Sequence, residues 1–537
     1  MAKKYFVLGI GGTGMRCIES LIHLCAMGMF DDTDIYLLAL DTDKNNGNFA
    51  RLKTLKEAYE RTKDMNSSGR AAHKNTFFSA NIKYYEFSPD YERQSTFRDV
   101  FHYNDTKVRN PQETELADLM FTDNVETFNL RHGYRAQTHL GSMMMYHSIL
   151  EAAESQQNNS LKQFLQELIN ACQSEHPRVF ILGSVFGGTG ASSIPIIPQA
   201  ITRAAAILSS NANIRANAYF GSTLLTAYFS FNAPSDSEKT EQKIIATSDK
   251  FALNSKVAMM FYEDDATVKT TYQKFYMLGT PNIDWDPMAK EKDKLTKTIT
   301  GGEKQTNDSH YIELMAACAA LDFFNLDEEQ LEECKNAPSD DKLYEYRSIN
   351  NSGVLEFKDF VGLGREQEFA KKFGMLVVLS LMCNTEIDYV TAIQTNQRNK
   401  VQGYSDINVE QIRALKDYFN LFNVKYEVGG SISEGWLRQI ARSAGAGNFL
   451  FNAELFTPQT MRDMMKYEWN KKLYRDVGVG KDNKYKVGLF GNKIDVFEKD
   501  ALMPLYKKDK SSELPNRLEA LLQLLYQSLC NIYGFKN

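Results

Sequence analysis

The chain has 537 residues, of which 43% are hydrophobic and 24% are charged, and its formal net charge is -6. This length allows roughly two to four domains, and the composition excludes both a disordered chain and a membrane-embedded one. The slightly acidic balance offers no broad cationic surface, so nucleic acid is not an expected partner.

The chain begins with a predicted βαβ unit. An apolar strand at 5–8 leads into a glycine-rich turn and a helix at about 15–29, and a second apolar strand follows at 35–40. A strand that is apolar throughout is typical of a parallel sheet covered on both faces. The turn supplies five candidate phosphate-binding residues: Gly9, Gly11, Gly12, Thr13 and Gly14.

This first glycine turn has three interpretations. Its backbone N–H groups could approach a phosphate closely, at the positive end of the following helix. In a dinucleotide-binding protein, Asp41 or Asp43 at the end of the second strand would hold a ribose. The turn could also be a tight strand-to-helix connection that binds no ligand.

The region from 44 to about 130 is polar and aromatic-rich with weak periodicity, which predicts an insertion. Beyond it, strands are predicted at 178–182, 216–225 and 257–262, helices at 141–153, 160–172 and 310–324, and a loop at 284–307. The first 330 residues therefore predict one open, mostly parallel sheet, with its ligand edge at the carboxyl ends of the strands.

Helices dominate the predicted second region, which spans 331–537. Two strand-like pieces, at 354–357 and 485–490, lie among predicted helices at 366–383, 409–422, 458–473 and 515–533. This pattern predicts a helix-rich α+β domain.

A second glycine cluster follows the predicted strand at 178–182. Its small residues leave room for phosphate oxygens, and its backbone and hydroxyl groups could donate to an anion. No lysine follows in the position that a P-loop requires. The candidate residues are Gly187, Gly188, Thr189, Gly190, Ala191 and Ser192.

This second cluster resembles the signature of the tubulin/FtsZ superfamily, in which glycines are followed by Thr-Gly and two small residues. The segments 9–14 and 40–43 resemble that family's first and second phosphate loops, in the same order. The resemblance implies a Rossmann-type GTPase domain at 1–330 with a core helix at about 308–325, followed by a divergent domain at 331–537. It further implies GTP or GDP with Mg²⁺ as ligands, and a protein that assembles head to tail.

The resemblance also suggests further ligand contacts. Arg135 is placed like a residue of the loop that senses the terminal phosphate, although a solvated loop arginine would show the same pattern. Asn307 and Asp308 resemble a pair that reaches the base edge, or they could cap the following helix. At the position of Arg16 the family has an asparagine that binds the base. This replacement is a departure from the family's pattern for recognising guanine.

Hydrolysis in this family is completed by a loop of the next subunit, with the pattern Asn-x-Asp-x-x-Asp. Here Asn325 and Asp327 match, Gln330 replaces the last acid, and Glu328 is a nearby carboxylate. These residues are the candidate catalytic groups. Asp327 could equally cap a helix with an acidic first turn.

No side-chain pattern predicts a metal site formed by the protein alone. The seven cysteines form no CxxC pair, the eight histidines have no metal-ligand spacing, and His310 is interpreted as a packing or capping residue. Mg²⁺ would therefore arrive with the nucleotide phosphates. The absence of a signal pattern and of a run of ~20 apolar residues predicts a cytoplasmic protein without a membrane partner.

Three functions compete at this point. The first is a GTPase that self-assembles into filaments. The second is a nucleotide-responsive scaffold or sensor that hydrolyses weakly or not at all and acts with proteins encoded nearby, as in phage defence. The third is a Rossmann oxidoreductase, which leaves the second glycine cluster without a role.

Overall fold

A computed structural model describes residues 2–63, 72–229, 247–280, 307–336, 340–348, 355, 357–362, 364–384, 389–428, 431–443, 497–508 and 516–533. Within these residues the fold is α/β and is built on a seven-stranded sheet of order β3-β2-β1-β4-β5-β6-β7. Every neighbouring pair of its strands is parallel. The strands are β1 (Lys3–Ile10), β2 (Thr33–Leu40), β3 (Asn81–Phe87), β4 (Arg178–Leu182), β5 (Tyr219–Leu225), β6 (Lys274–Gly279) and β7 (Tyr344–Ser348).

The register brings the carboxyl ends of the three central strands to one edge of the sheet. Ile10 lies opposite Leu40, and Gly9 lies opposite Leu182. The strand order reverses between β1 and β4, since β2 and β3 lie on one side of β1 and β5 to β7 on the other. Ligands of open α/β sheets bind in the crevice at such a switch point.

Helices cover both faces of the sheet, as the apolar strands require. The amino-terminal half carries α1 (Gly11–Ala26), α2 (Gly47–Lys63), α3 (Phe97–Val100), α4 (Pro111–Met120), α5 (Asp123–Thr127), α6 (Thr138–Glu154), α7 (Ser160–Cys172), α8 (Thr189–Ser193), α9 (Ile197–Leu208) and α10 (Ile214–Asn217). In the alternating pleat of β1, Val7 packs with α1 while Phe6 packs with α6 and α7. Two buried clusters result, one on each face.

The remaining helices begin beyond β5. They are α11 (Phe251–Asp264), α12 (Ala266–Thr271), the core helix α13 (Tyr311–Asn325), α14 (Glu328–Asn336), α15 (Asp340–Leu343), α16 (Glu366–Asn384), α17 (Tyr389–Gln394), α18 (Val409–Phe419), α19 (Trp436–Ser443), α20 (Met503–Tyr506) and α21 (Arg517–Tyr533). A separate antiparallel hairpin pairs β8 (Lys425–Val428) with β9 (Ser431–Glu434). Most of the predicted helices in the described residues are confirmed within a few positions.

The carboxyl-terminal region shares a core with the sheet. Trp436 in α19 donates through Nε1 to the Ser20 hydroxyl in α1 at 3.2 Å, and Tyr418 in α18 contacts His23. Leu521 and Leu525 of α21 belong to the same buried cluster as Val7. The described helices therefore pack as a layer on α1 and α2.

Three predicted segments are corrected by the structure. The strand predicted at 257–262 lies in helix α11, and the next strand is β6, because a short apolar run fits either element. The predicted insertion at 44–130 contains helix α2 and strand β3, and β3 pairs with β2 in the sheet. The domain boundary at 330 falls inside the sheet, since β7 follows it.

Other predictions fall partly or wholly outside the described residues. The strand at 485–490 and the helix at 458–473 lie outside them, as does most of the loop at 284–307. Within 354–357, the described Phe357 begins a 3₁₀ turn, Phe357–Asp359.

In the described part of the chain, no helix combines the length and the apolarity that crossing a membrane requires.

Candidate functional site

The two glycine clusters meet at the switch point of the sheet. Gly11 begins α1 directly after β1 and has a φ of +68°, in the left-handed region that glycine adopts without strain. A Cβ atom on Gly11 would lie 3.7 Å from the Thr189 Cβ and 3.9 Å from the Gly190 nitrogen. Segments that are far apart in the chain thus form one surface.

Some glycines of these clusters are required by backbone packing. A Cβ atom on Gly14 would overlap the Leu182 carbonyl oxygen and would lie 2.7 Å from the Gly9 carbonyl carbon. A Cβ on Gly190 would lie 2.6 Å from the Ser184 carbonyl oxygen. These two glycines let α1 and α8 approach the strands closely, with or without a ligand.

Gly187 differs from them, because its surroundings are open. The atom nearest to a Cβ built at this position is the Ser184 Oγ at 3.7 Å, which is ordinary contact distance. Neither a backbone clash nor a positive φ requires glycine here. Among the described residues, no packing contact requires glycine at 187, so the space beside it is a candidate position for a ligand.

Asp41 and Thr189 join the end of β2 to the second glycine cluster. Thr189 donates from Oγ1 to Asp41 Oδ1 at 3.3 Å, and the hydroxyls of Thr42 and Thr189 lie 3.5 Å apart. Asp41 also accepts from the Thr42 backbone N–H at 2.7 Å and from the Asn46 amide at 2.6 Å. The ends of β2 and β4 are thereby linked.

The carboxyl groups at this edge are buried. The pKa of Asp41 is raised to about 6, mainly by burial; the Asn46 hydrogen bond opposes the rise, and the neighbouring Asp43 contributes to it. Asp43 accepts from the Asn45 backbone N–H at 3.1 Å. A ligand that brings phosphates here would have to be compatible with two nearby carboxyls.

The loop that carries Arg135 lies against the second glycine cluster. A Cβ atom on Gly188 would be 3.1 Å from the Arg135 nitrogen and 3.2 Å from the Ala136 nitrogen. Arg135 and Ala136 have positive φ values of 47° and 63°, a conformation that tertiary contacts must hold in non-glycine residues. Burial lowers the pKa of the half-buried Arg135 guanidinium. Arg135 thus lies beside Gly188 of the second glycine cluster.

The rest of the second cluster packs against α6. Ser192 donates from Oγ to the Gly188 carbonyl at 2.6 Å, and Ser142 donates to the Ser192 carbonyl at 2.6 Å. Ala191 is half-buried in the short helix α8. The Ser192 hydroxyl therefore stabilises its own turn.

A buried ion pair connects the first glycine turn to the core helix. Arg16 donates from Nε to Glu313 Oε1 at 2.6 Å and from Nη2 to the Thr13 hydroxyl at 3.5 Å and the Tyr228 hydroxyl at 3.2 Å. Tyr228 donates in turn to Glu313 Oε1 at 2.5 Å. Burial and Arg16 shift the pKa of Glu313 in opposite directions, and burial prevails, so the pKa is raised.

Asn307 and Asp308 precede the core helix without capping it. The cap is His310, whose Nδ1 accepts from the Ile312 N–H at 3.1 Å while Glu313 accepts from the His310 N–H at 2.8 Å. The helix-cap alternative for Asn307 and Asp308 is thus wrong, and the capping role of His310 is confirmed.

Both residues are tied to neighbouring elements by arginines. The Asp308 carboxylate pairs with Arg442 of α19. The Asn307 carbonyl accepts from Arg51 of α2 at 3.0 Å.

The three candidate catalytic residues lie at the opposite edge of the sheet. Asn325 ends the core helix and donates to the Leu321 carbonyl at 2.6 Å, and its neighbour Phe324 stacks on Tyr5, near the start of β1. Asp327 and Gln330 exchange backbone-to-side-chain hydrogen bonds of 3.0 and 2.7 Å. This reciprocal pattern caps α14, so the capping interpretation of Asp327 is confirmed.

The length of the core helix separates these residues from the glycine turns. Fifteen residues at about 1.5 Å each span about 22 Å. All three residues are exposed; Asn325 is the last residue of the helix, and Asp327 and Glu328 follow it. Within one copy of the chain they cannot reach a phosphate bound at Gly11–Gly14.

Several residues of the site were missed by the sequence analysis. Asn46 donates to Asp41, and its signal was the polar run that follows the apolar strand β2. Glu313 has the spacing of a capping box with His310, but nothing in the sequence pairs it with Arg16. No local sequence pattern identifies Tyr228 or Arg442 as part of the site.

The described residues contain no group of three or more histidine, cysteine, aspartate or glutamate side chains that could hold a metal ion. A divalent cation would need oxygens from the ligand beside those of Asp41 or Asp43.

Neither a protein-family model nor a curated protein matches this chain.

Proposed function

We propose that this chain is a nucleotide-binding protein of the tubulin/FtsZ type, which binds GTP or GDP with Mg²⁺ and assembles head to tail. One observation carries the proposal. The two glycine turns and the acidic end of β2 come together at the switch point of a parallel sheet, where a Cβ atom added to Gly11 would lie 3.7 Å from the Thr189 Cβ and where Thr189 donates to Asp41. Backbone N–H groups in such turns suit phosphate oxygens.

The charges at this edge support a magnesium-bound phosphate chain. Asp41 and Asp43 are buried beside the second glycine cluster, and a bare polyphosphate would be repelled by them. A divalent cation carried by the phosphates would instead attract these carboxylates. Asp41 and Asp43 are then the protein groups that would face the cation.

The position of Asn325, Asp327 and Glu328 supports head-to-tail assembly. These residues lie at the edge opposite to the glycine turns and are exposed. If they orient water for hydrolysis, the phosphate must belong to a second copy of the chain. A contact of this kind between unlike surfaces generates a filament when it does not close into a ring.

A second candidate function is a nucleotide-responsive scaffold or sensor that hydrolyses weakly and acts with other proteins. The capping box between Asp327 and Gln330 favours it, because the Asp327 carboxylate already accepts a hydrogen bond at 2.7 Å. The dinucleotide alternative is less favoured, because Asp41 is bonded to Thr42, Asn46 and Thr189.

The first test is the nucleotide content of the purified chain. We expect guanine nucleotides to be released on denaturation and separated by ion-exchange chromatography. Recovery of NAD alone, or of no nucleotide together with no binding of added Mg-GTP, would contradict the proposal.

Light scattering and GTP turnover across protein concentrations separate the two candidate functions. Filament-coupled hydrolysis should give a specific turnover rate that rises with protein concentration, together with scattering that depends on GTP. Binding of GTP with neither response would favour the scaffold or sensor.

A further inference from the structure

The Arg16 guanidinium lies at the first glycine turn but is not fully used by the protein. Its Nε binds Glu313, and its Nη2 binds the hydroxyls of Thr13 and Tyr228. Its other terminal nitrogen, Nη1, donates no hydrogen bond within the part of the chain that the structure describes. Only 3% of this side chain is exposed, so the unused donor belongs to a buried group.

A second buried arginine nearby shows the contrast. Arg51 donates from Nε and Nη2 to Glu19, from Nη1 to the Asn307 carbonyl, and from Nη2 to Ser309 and Gln439. All three of its nitrogens have partners, as a structural arginine requires. Arg16 and Arg51 are equally buried, yet only Arg16 retains an unused nitrogen.

The contacts of Arg16 also fix its position and charge. Glu313 of the core helix and Tyr228 of the chain after β5 bind the guanidinium, and Thr13 of the first glycine turn accepts from the same nitrogen as Tyr228. The bond to Thr13 is the longest of these contacts, at 3.5 Å. Burial disfavours the charge, but Glu313 and Tyr228 outweigh it and raise the pKa of Arg16.

We propose that Arg16 is a ligand-binding residue, whose Nη1 donates to a phosphate oxygen of a nucleotide seated on the first glycine turn. This inference rests on the proposed function and extends it to a residue outside the glycine-rich segments. A guanidinium presents its donors in a fixed planar fork that matches phosphate oxygens, and charge-assisted bonds of this type are the strong ones. Thr13, to which Arg16 already reaches, belongs to the turn itself.

The inference assigns a phosphate as the partner of Arg16. The first glycine turn contains no lysine or arginine between Gly9 and Met15. Arg16 therefore supplies the only positive charge between positions 9 and 16. A base carbonyl is the other group that Arg16 could bind, and the two partners are distinguished by a ligand that lacks a base.

The test requires a variant that removes the charge of Arg16 without leaving Glu313 as a buried, unpaired carboxylate. Loss of one member of a buried ion pair strongly destabilises a protein, so Arg16→Ala alone would report mainly on folding. The double variant Arg16→Gln with Glu313→Gln leaves two neutral amide side chains in place of the pair. The matched control is Asp322→Asn with Arg347→Gln, which neutralises a buried pair of 2.5 Å near the other end of the same helix.

Binding of Mg-GTP and of inorganic tripolyphosphate with Mg²⁺ should be measured by calorimetry or competition for the wild-type chain and both variants. Melting temperatures should be recorded alongside. We expect the double variant at 16 and 313 to lose about 10- to 100-fold in affinity for both ligands. The control variant should bind both ligands like the wild type, with a comparable change in melting temperature.

The outcomes are distinct. Equal affinities in the wild type and in the 16/313 variant would overturn the inference while leaving the proposed function intact. A loss for GTP without a loss for tripolyphosphate would assign Arg16 to the base and overturn the phosphate contact. Equal losses in both double variants would assign the effect to the core helix as a whole and overturn the inference. A wild-type chain that binds neither ligand would overturn both the inference and the proposed function.

Discussion

The two edges of the sheet are built in different ways. At the carboxyl edge, Asp41, Thr189 and Arg16 are buried and bind residues that are distant in the sequence. At the opposite edge, Asn325 and Asp327 are exposed and bind residues three or four positions away. The first edge is a product of tertiary structure, whereas the second consists of local helix-end contacts.

This difference separates a buried edge that is fixed by tertiary contacts from an exposed edge that is fixed by local ones. Buried polar groups must be paired, so the carboxyl edge is pre-organised and intolerant of change. Exposed side chains with local bonds contribute little to stability and can exchange those bonds for a partner's groups. We therefore expect substitutions at the carboxyl edge to affect folding and binding, and those at the opposite edge to affect mainly events between molecules.

The largest effect is expected from Gly14→Ala. Its Cβ would overlap the Leu182 carbonyl oxygen, and backbone atoms cannot move aside as a flexible side chain can. We expect a loss of about 3 kcal/mol or more in the free energy of unfolding, measured by urea denaturation.

The matched substitution is Gly187→Ala, whose Cβ meets its nearest atom at 3.7 Å. It should change the free energy of unfolding by less than about 1 kcal/mol and weaken nucleotide binding by filling the space beside the second cluster. A Gly14→Ala variant as stable as the wild type would contradict the packing role. Unchanged affinity in Gly187→Ala would contradict the ligand role.

An intermediate effect is expected from Asp41→Asn, as a function of pH. Burial raises the pKa of Asp41 from 3.8 to about 6, so the folded state is favoured when this carboxyl is protonated. That contribution is fully present below about pH 4 and is lost as the pH rises through about 6. The free energy of unfolding that is lost as Asp41 ionises is at most about 3 kcal/mol.

The asparagine side chain of this variant has no group that titrates in this range. Relative to the wild type, the variant should therefore gain stability between about pH 4.5 and about pH 7.5, as measured by urea unfolding at both values. A stability difference that is the same at both pH values would show that Asp41 does not titrate in this window.

The smallest effect on stability is expected at the opposite edge. Asp327→Ala removes a helix cap and should cost about 1 kcal/mol. If Asp327 also acts in hydrolysis, the variant should bind GTP normally and lose turnover. Gln330→Ala disrupts the same capping box but keeps the carboxylate, so it should retain turnover. Equal losses of turnover in the two variants would assign the effect to the cap.

Much of the carboxyl edge was predictable because its elements carry strong local patterns. Each of these patterns reflects the local needs of the chain, which are burial, a tight turn or a polar strand end. An apolar strand precedes Gly9, glycines continue to Gly14, and acidic residues follow β2. The strand predicted at 257–262 was wrong, because apolar residues of a helix and of a strand look alike over a short run. The segment 44–130 was predicted as an insertion, and α2 and β3 were not recognised in it, because α2 is only weakly amphipathic.

The sequence by itself determined which segments could approach a phosphate, because glycine freedom and apolar periodicity are properties of the local chain. Only the tertiary structure decided which residues face one another. The pairing of Arg16 with Glu313 joins positions 297 apart, and that of Asp308 with Arg442 joins positions 134 apart. Such contacts depend on how the core helix crosses the sheet, which no local pattern encodes. The same packing places Asp327 at the edge opposite the glycine turns. Its proposed role in hydrolysis therefore requires a second copy of the chain.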